Sequence, residues 1–198
     1  MKPQAVILAV GTELTSGLTM DTNSAWIAQR LAERGIVTVG HVTVDDELDR
    51  IAAAIGDAAA RASVVIVSGG LGPTDDDLTR QALAQVMGVP LELHEPSLAQ
   101  IEFFFQRLGR TMRANNRIQA TFPRGSEVLP NPIGTAAGLV ATIGAARVFV
   151  VPGVPAEMRE MVVGQVLPRL GDLSAQGAIV FRAVHAFGAG ESDVGAQL

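Results

Sequence analysis

Short, uninterrupted apolar runs alternate along this chain with longer stretches in which apolar positions recur every three or four residues. Strands buried on both faces and amphipathic helices leave these two marks, and their alternation predicts an α/β sheet. AVILAV (5–10) and SVVIVSGG (63–70) are continuous apolar runs that stop at glycine, so both are expected as central strands. Between them, DTNSAWIAQRLAERG opens on cap-type residues, sets Ile27, Ala28 and Leu31 on one face and stops at Gly35. That is a helix with both ends marked. IVTVGHVTV (36–44) predicts a further strand. Leu48, Ile51, Ala52 and Ile55 then recur at helical spacing after Asp45 and Asp46. The first 70 residues thus read β-α-β-α-β.

Beyond them, LTRQALAQVMG (78–88) predicts a helix and VPLELH a short extended piece. The stretch EPSLAQIEFFFQRLGRTMRANNRIQATFP is expected to be helical, with Arg107, Arg110 and Arg113 spaced for one face. That face reads either as a phosphate-binding stripe or as a solvated polar surface, and the second is the commoner use of such spacing. No helix orientation buries Phe103, Phe104 and Phe105 together against one small core, so one of them is expected to meet another subunit. SEVLPNPIGTAAGLVATIG and ARVFVVPG predict two or three strands. PAEMREMVVGQVLPRL follows as a helix with Pro155 in its first turn and Met158, Met161, Val162 and Val166 on one side. GDLSAQG (171–177) is a linker by composition, and the remainder reads as a strand and the start of a helix. The expected division is a domain over 1–171 and, over 172–198, a linker with the beginning of a following domain.

Composition narrows the chemistry. With 198 residues, 48% of them hydrophobic, one main core is expected, and a net charge of −5 argues against nucleic acid or an anionic membrane as partner. The chain has no cysteine, which removes disulfides, thiolate metal sites and cysteine nucleophiles together. No apolar run reaches the length of a membrane span or of a signal-peptide core, and a cytoplasmic location is expected. His41, His94 and His185 show no metal-ligand spacing, and no GxSxG elbow suggests a serine hydrolase.

The candidate chemistry sits in SGGLGPTDDDLT (68–79), where a glycine-rich turn adjoins three carboxylates. A strand that ends in glycines and feeds a helix exposes N–H groups to anions, yet the run is neither a P-loop nor the Rossmann fingerprint. Taken alone it reads equally well as a tight packing turn. The acids tip the balance: one of Asp76 and Asp77 can cap the next helix, and the others are surplus to capping. A divalent cation would reconcile carboxylates with phosphate, because Mg²⁺ is typically held by one or two carboxylates plus substrate oxygens. Ligands of open α/β sheets bind beyond the carboxyl ends of the strands. There Thr12 and Glu13 follow the first strand, Asp45, Asp46 and Glu47 the second, and PGVPAEM a later one.

With those residues assembled, the sequence resembles the N-terminal domain of the competence/damage-inducible protein A (CinA) family, within the wider molybdopterin-binding fold of MoaB and MogA. The resemblance covers about residues 4 to 170 and rests on GTELTSG (11–17), DTN (21–23), SGGLGPTDDDLT (68–79), NPIGTAAG (131–138) and PGVPAEM (152–158), in the family's order. Ala137 stands where the family usually has proline. The resemblance implies a three-layer α/β sandwich with a mostly parallel central sheet. It also implies a metal-dependent ADP-ribose pyrophosphatase, and through the molybdopterin relatives it marks Asp46 and Asp77 as the aspartates that matter. Family members often continue into a nicotinamide-nucleotide amidase domain, an activity not expected of these residues.

The expected catalytic and metal-holding groups are therefore Asp46, Asp76 and Asp77, around Mg²⁺, Mn²⁺ or Co²⁺, with ligand and base left unassigned among them. Gly69, Gly70, Gly72 and Thr74 are expected to donate to phosphates, with Asn131, Gly134 and Thr135 on the opposite wall. Gly11, Thr12, Glu13, Asp21, Asn23, Ser68, Pro152, Gly153 and Glu157 complete the expected binding set for a small nucleotide. The expected assembly is a homo-oligomer, dimer or trimer. Two rival readings stay open: a molybdopterin adenylyltransferase, and a non-catalytic nucleotide-binding oligomerisation module.

Overall fold

The computed structural model describes residues 3–171 and 187–188. Its strands are β1 (Gln4–Val10), β2 (Val37–Val44), β3 (Val64–Ser68), β4 (Leu91–Leu93), β5 (Thr121–Pro123), β6 (Glu127–Leu129), β7 (Gly138–Ile143) and β8 (Ala146–Val151). Helices α1 (Thr12–Thr15), α2 (Asn23–Ala32), α3 (Leu48–Arg61), α4 (Thr79–Met87), α5 (Glu95–Arg107), α6 (Pro155–Met161) and α7 (Leu167–Arg169) connect them. Six strands form one sheet in the order β2-β1-β3-β8-β7-β6. The pairings from β2 to β8 are parallel, and β7 and β6 add antiparallel at the far edge.

Because successive strand residues point to opposite faces, continuous apolar strands must be covered on both sides. Ala5 and Ile7 of β1, Val64 and Ile66 of β3, and Phe149 and Val151 of β8 pack with Ile27 and Leu31 of α2 and Met158 and Met161 of α6. Their neighbours Val6, Leu8, Val65, Val67, Val148 and Val150 face the other way, against Ile51 and Ile55 of α3 and Leu83 of α4. The result is the expected three-layer sandwich with a mostly parallel sheet.

Three features differ from the sequence reading. The helix expected to continue past residue 107 stops at Arg107. Gly109 adopts φ +64, and the Arg110 N–H donates back to the Phe105 carbonyl at 3.0 Å, a glycine-dependent helix stop. Arg110 and Arg113 lie beyond that stop, so the three-arginine helix face does not form. Residues 114–120 make a 3-10 turn instead, and β4 and β5 pair as a separate two-stranded sheet. The last helix is interrupted by a wide π turn over Val162–Val166. A proline ring crowds the carbonyl four residues back, and for Pro168 that residue is Gly164, within the widened turn. The linker and terminal strand expected over 172–198 fall outside the described residues.

Candidate active site at the carboxyl edge of the sheet

Parallel pairing brings the ends of β1, β2, β3 and β8 to one edge. Short backbone ties lock them together. The Gly11 N–H donates to Val44 O at 2.9 Å, joining the ends of β1 and β2, and the Gly69 N–H donates to Val151 O at 3.1 Å, joining β3 and β8. Asp46 is held by a reciprocal pair: its Oδ2 accepts from the Thr12 N–H at 2.7 Å, while its own N–H donates to Thr12 Oγ1 at 3.3 Å. Asn23, at the start of α2, donates through Nδ2 to Gly153 O at 2.8 Å and to Ser68 Oγ at 3.2 Å. Asp21 caps the same helix by accepting from the Ser24 N–H at 3.0 Å.

The glycine turn after β3 needs its glycines. Gly69 has φ +115 and Gly70 φ +66, and a side chain on either would overlap Val10 O or Thr79 Oγ1 respectively. Four successive carbonyls of the turn are tied inward. Thr79 Oγ1 donates to Gly69 O at 2.9 Å and the Thr79 N–H to Gly70 O at 3.3 Å. Arg80 donates through Nη1 to Leu71 O at 2.9 Å and through Nη2 to Gly72 O at 2.8 Å. Asp77 closes the turn from outside: Oδ1 accepts from the Gly72 N–H at 2.7 Å, and Oδ2 accepts from the Thr74 N–H at 2.9 Å and from the Thr74 hydroxyl. By contrast, the Gly70 and Leu71 N–H groups donate to no acceptor among the described residues.

This edge encloses an open cavity of about 440 Å³. It is lined by Gly11, Glu13, Asp46, Gly69, Gly70, Gly72, Thr74, Asp76, Asp77, Thr135, Pro152, Gly153 and Glu157 from the expected set, so residues far apart in sequence do converge. Asp21, Asn23 and Ser68 line a smaller adjoining cavity of about 150 Å³ that shares Glu13 and Gly153 with the first. Thr12, Asn131 and Gly134 line neither. Asn131 is buried and acts from behind: its Oδ1 accepts from the N–H groups of Ile133 and Gly134, and its Nδ2 donates to Glu157 Oε2 at 2.6 Å. Gly134 lies so close to the Glu157 carboxylate that a Cβ there would overlap it.

Sequence reasoning missed Val10, Leu71, Gln119, Ala136 and Val154 in the lining, and Arg80 behind it. Arg80 carried a readable signal, because it shares the buried face of α4 with Leu83 and Ala84, three and four residues on. Gln119 reaches the turn only because the 3-10 segment folds back over it, its Nε2 donating to Leu71 O at 3.4 Å.

The electrostatics are lopsided. Glu13, Asp46, Asp76, Asp77 and Glu157 all line the cavity, and among the described residues no Lys, Arg or His does. The balancing charge is Arg80, wholly buried behind the turn. Burial lowers its guanidinium pKa to about 10, partly offset by the Asp77 carboxylate, so the group remains cationic at neutral pH. Among the described residues, no three Asp, Glu or His side chains gather closely enough to ring a metal ion. The donor set therefore suits only an ion that takes one or two carboxylates from the protein and its remaining ligands from phosphate and water.

This fold is the one shared by the MoaB/MogA-like molybdopterin-biosynthesis proteins. The family described as a probable molybdopterin binding domain matches residues 6–172. Solved structures agree on the fold: MoaB from Thermus thermophilus superposes with a TM-score of 0.58 at 20% identity, over 90% of this chain and 99% of that one. Nearer relatives are CinA-like. A CinA-like protein of Anaeromyxobacter dehalogenans is 45% identical over 91% of this chain and 45% of its own length. A putative competence-damage inducible protein of Oceanobacillus iheyensis is 43% identical over 96% of this chain and 46% of its own. The crystal structure of CinA from Thermoplasma acidophilum, a protein of unknown function, superposes with a TM-score of 0.77 at 33% identity, over 87% of this chain and 98% of that one. The chain belongs to the probable molybdopterin-binding domain family, as one of its CinA-like members. It spans less than half the length of the curated relatives it matches. Among the described residues, no helix is long and apolar enough to cross a membrane.

Proposed function

We propose that this cavity hydrolyses the pyrophosphate of a nucleotide sugar, with ADP-ribose giving AMP and ribose 5-phosphate, in a cytoplasmic homo-oligomer of two or three copies. The observation that carries the reading is the juxtaposition of unpaired Gly70 and Leu71 N–H groups with carboxylates from separate strand ends, in one cavity. The N–H groups suit phosphate oxygens. The acids would repel a bare pyrophosphate and suit one that carries a divalent ion.

Asp76 and Asp46 would hold that ion, Mg²⁺, Mn²⁺ or Co²⁺, which supplies Lewis acidity and neutralises charge on the phosphates. Asp76 is exposed and Asp46 has one oxygen engaged. Asp77 already accepts three hydrogen bonds within the turn, so its chief work is to hold the turn, with any contact to the ion secondary. The reaction adds water to one phosphorus and breaks the bond from that phosphorus to the bridging oxygen, which leaves on the other phosphate. A carboxylate facing the cavity accepts the water's proton.

The test is AMP release from ADP-ribose with each of the three metals, for the unaltered chain beside Asp76→Asn. Metal-dependent release that is lost in the variant is expected; no release from the unaltered chain with any of the three would overturn the reading. The shared MoaB-like fold favours a second reading, molybdopterin binding with adenylyl transfer. It requires retention of a pterin and incorporation of AMP from ATP, and absence of both rejects it.

A further inference from the structure

Arg80 has no part in the chemistry above, yet it is the largest of the fully buried side chains among the described residues. A guanidinium is costly to bury and is rarely kept without a partner that needs it. None of the ion pairs among the described residues includes it. It spends two donors on consecutive carbonyls, Leu71 O at 2.9 Å and Gly72 O at 2.8 Å. Its Nε finds no partner. The residue before it does the same for the preceding pair, with Thr79 binding Gly69 O and Gly70 O.

The planarity of the peptide unit turns this into a statement about the cavity. In a trans peptide the C=O of one residue and the N–H of the next point in opposite directions. Every peptide bond of the described residues is trans. Drawing the Gly69 and Gly70 carbonyls toward α4 therefore directs the Gly70 and Leu71 N–H groups away from it. Drawing the Leu71 carbonyl toward Arg80 likewise directs the Gly72 N–H to the opposite side, where Asp77 Oδ1 accepts it at 2.7 Å. Without a fixed Leu71 carbonyl, the 71–72 peptide is free to rotate, and the Gly72 N–H loses its direction toward Asp77.

We infer that Thr79 is a positioning residue that fixes the Gly70 and Leu71 N–H groups as a receptor for a phosphoryl oxygen, while Arg80 pins the following peptides of the same turn and its buried charge draws the anion into a cavity lined with carboxylates. The inference rests on the phosphate-binding part of the proposed function and does not depend on hydrolysis. Lysine in place of Arg80 keeps the charge and loses the fork that spans two carbonyls. Valine in place of Thr79 keeps the shape and loses the hydroxyl donor.

The test follows the Gly70 and Leu71 amide resonances while inorganic pyrophosphate is added with Mg²⁺, in the unaltered protein, Arg80→Lys and Thr79→Val. In the unaltered protein both amides are expected to shift and saturate. Thr79→Val should bind at least about tenfold more weakly, with the Gly70 shift much reduced. Arg80→Lys, which keeps the charge, should weaken binding less and serves as the second probe if Thr79→Val does not fold. If the unaltered protein binds pyrophosphate with neither amide shifting, or does not bind it, the inference is overturned without any variant. It also falls if both variants fold and bind within twofold of the unaltered protein.

Where ADP-ribose is turned over, loss of the positioning residue should raise KM more than it lowers kcat. A merely structural role would reduce the amount of active enzyme and leave KM alone. Amide shifts that depend on Thr79, without AMP release, would leave the inference standing and the hydrolase reading fallen. Release with the same KM in the unaltered chain and in Thr79→Val would do the reverse.

Discussion

At the scale of single residues, the three aspartates of the DDD run have different work. Asp77 accepts from Gly72 and Thr74, so Asp77→Asn presents an amide N–H₂ where one oxygen must accept. Its place in the expected catalytic and metal-holding set alone would make the substitution cost turnover and spare the fold. The geometry changes that expectation: the variant should lose activity and also about 1–3 kcal/mol of stability, read as a lower urea midpoint. Asp76 is exposed and makes no side-chain hydrogen bond among the described residues. Asp76→Asn should leave the urea midpoint within about 0.5 kcal/mol of the unaltered chain while cutting metal-dependent turnover by at least about a hundredfold. Equal stability losses in the two variants would contradict this division. Gly70→Ala tests the turn itself. The left-handed backbone and the overlap with Thr79 Oγ1 should together cost about 1–3 kcal/mol and remove pyrophosphate binding.

At the scale of elements, what was legible in the sequence was whatever is encoded within one segment. The continuous apolar runs of β1 and β3 and the spacing of Ile27 and Leu31 are local patterns, and the structure forms those elements as read. The strand-end acids were legible as well, because a parallel sheet brings its carboxyl ends together whatever the loops do. The helix stop at Gly109 was present in the sequence, but the arginine spacing across it suggested continuity. Gly109→Ala should therefore cost about 1 kcal/mol by forcing a side chain into φ +64, a loss readable by thermal unfolding. A gain in stability would mean that the helix extends through the substitution. The contacts of Gln119 and Asn115 with the glycine loop were not legible. They bridge 48 and 42 residues and depend on how the segment from β4 to β5 folds back over the turn.

At the scale of the whole molecule, the surface outside the cavity carries apolar side chains that the core does not use. Phe103 is 60% exposed on α5, and Leu108 just beyond the helix is also exposed. Phe104 and Phe105 turn partly inward, their rings edge to face at 6.4 Å, and Phe105 packs on the small cluster of Leu98 and Ile101. The three phenylalanines thus divide as their one-residue spacing requires, with Phe105 anchoring the helix, Phe104 half-buried against it and Phe103 facing out. A solvent-facing Phe with a second exposed apolar side chain five residues on contributes little to this chain's own core, but both would be covered in an oligomer. Phe103→Ser should therefore leave the melting temperature of a dilute, dissociated sample unchanged and shift the mass measured by light scattering toward that of one chain. An unaltered chain that already scatters as a monomer at high concentration would remove the interface. A variant that keeps its mass would move the interface to another face, and because the substitution lies outside the cavity lining, the phosphate-binding turn should respond to pyrophosphate in either case.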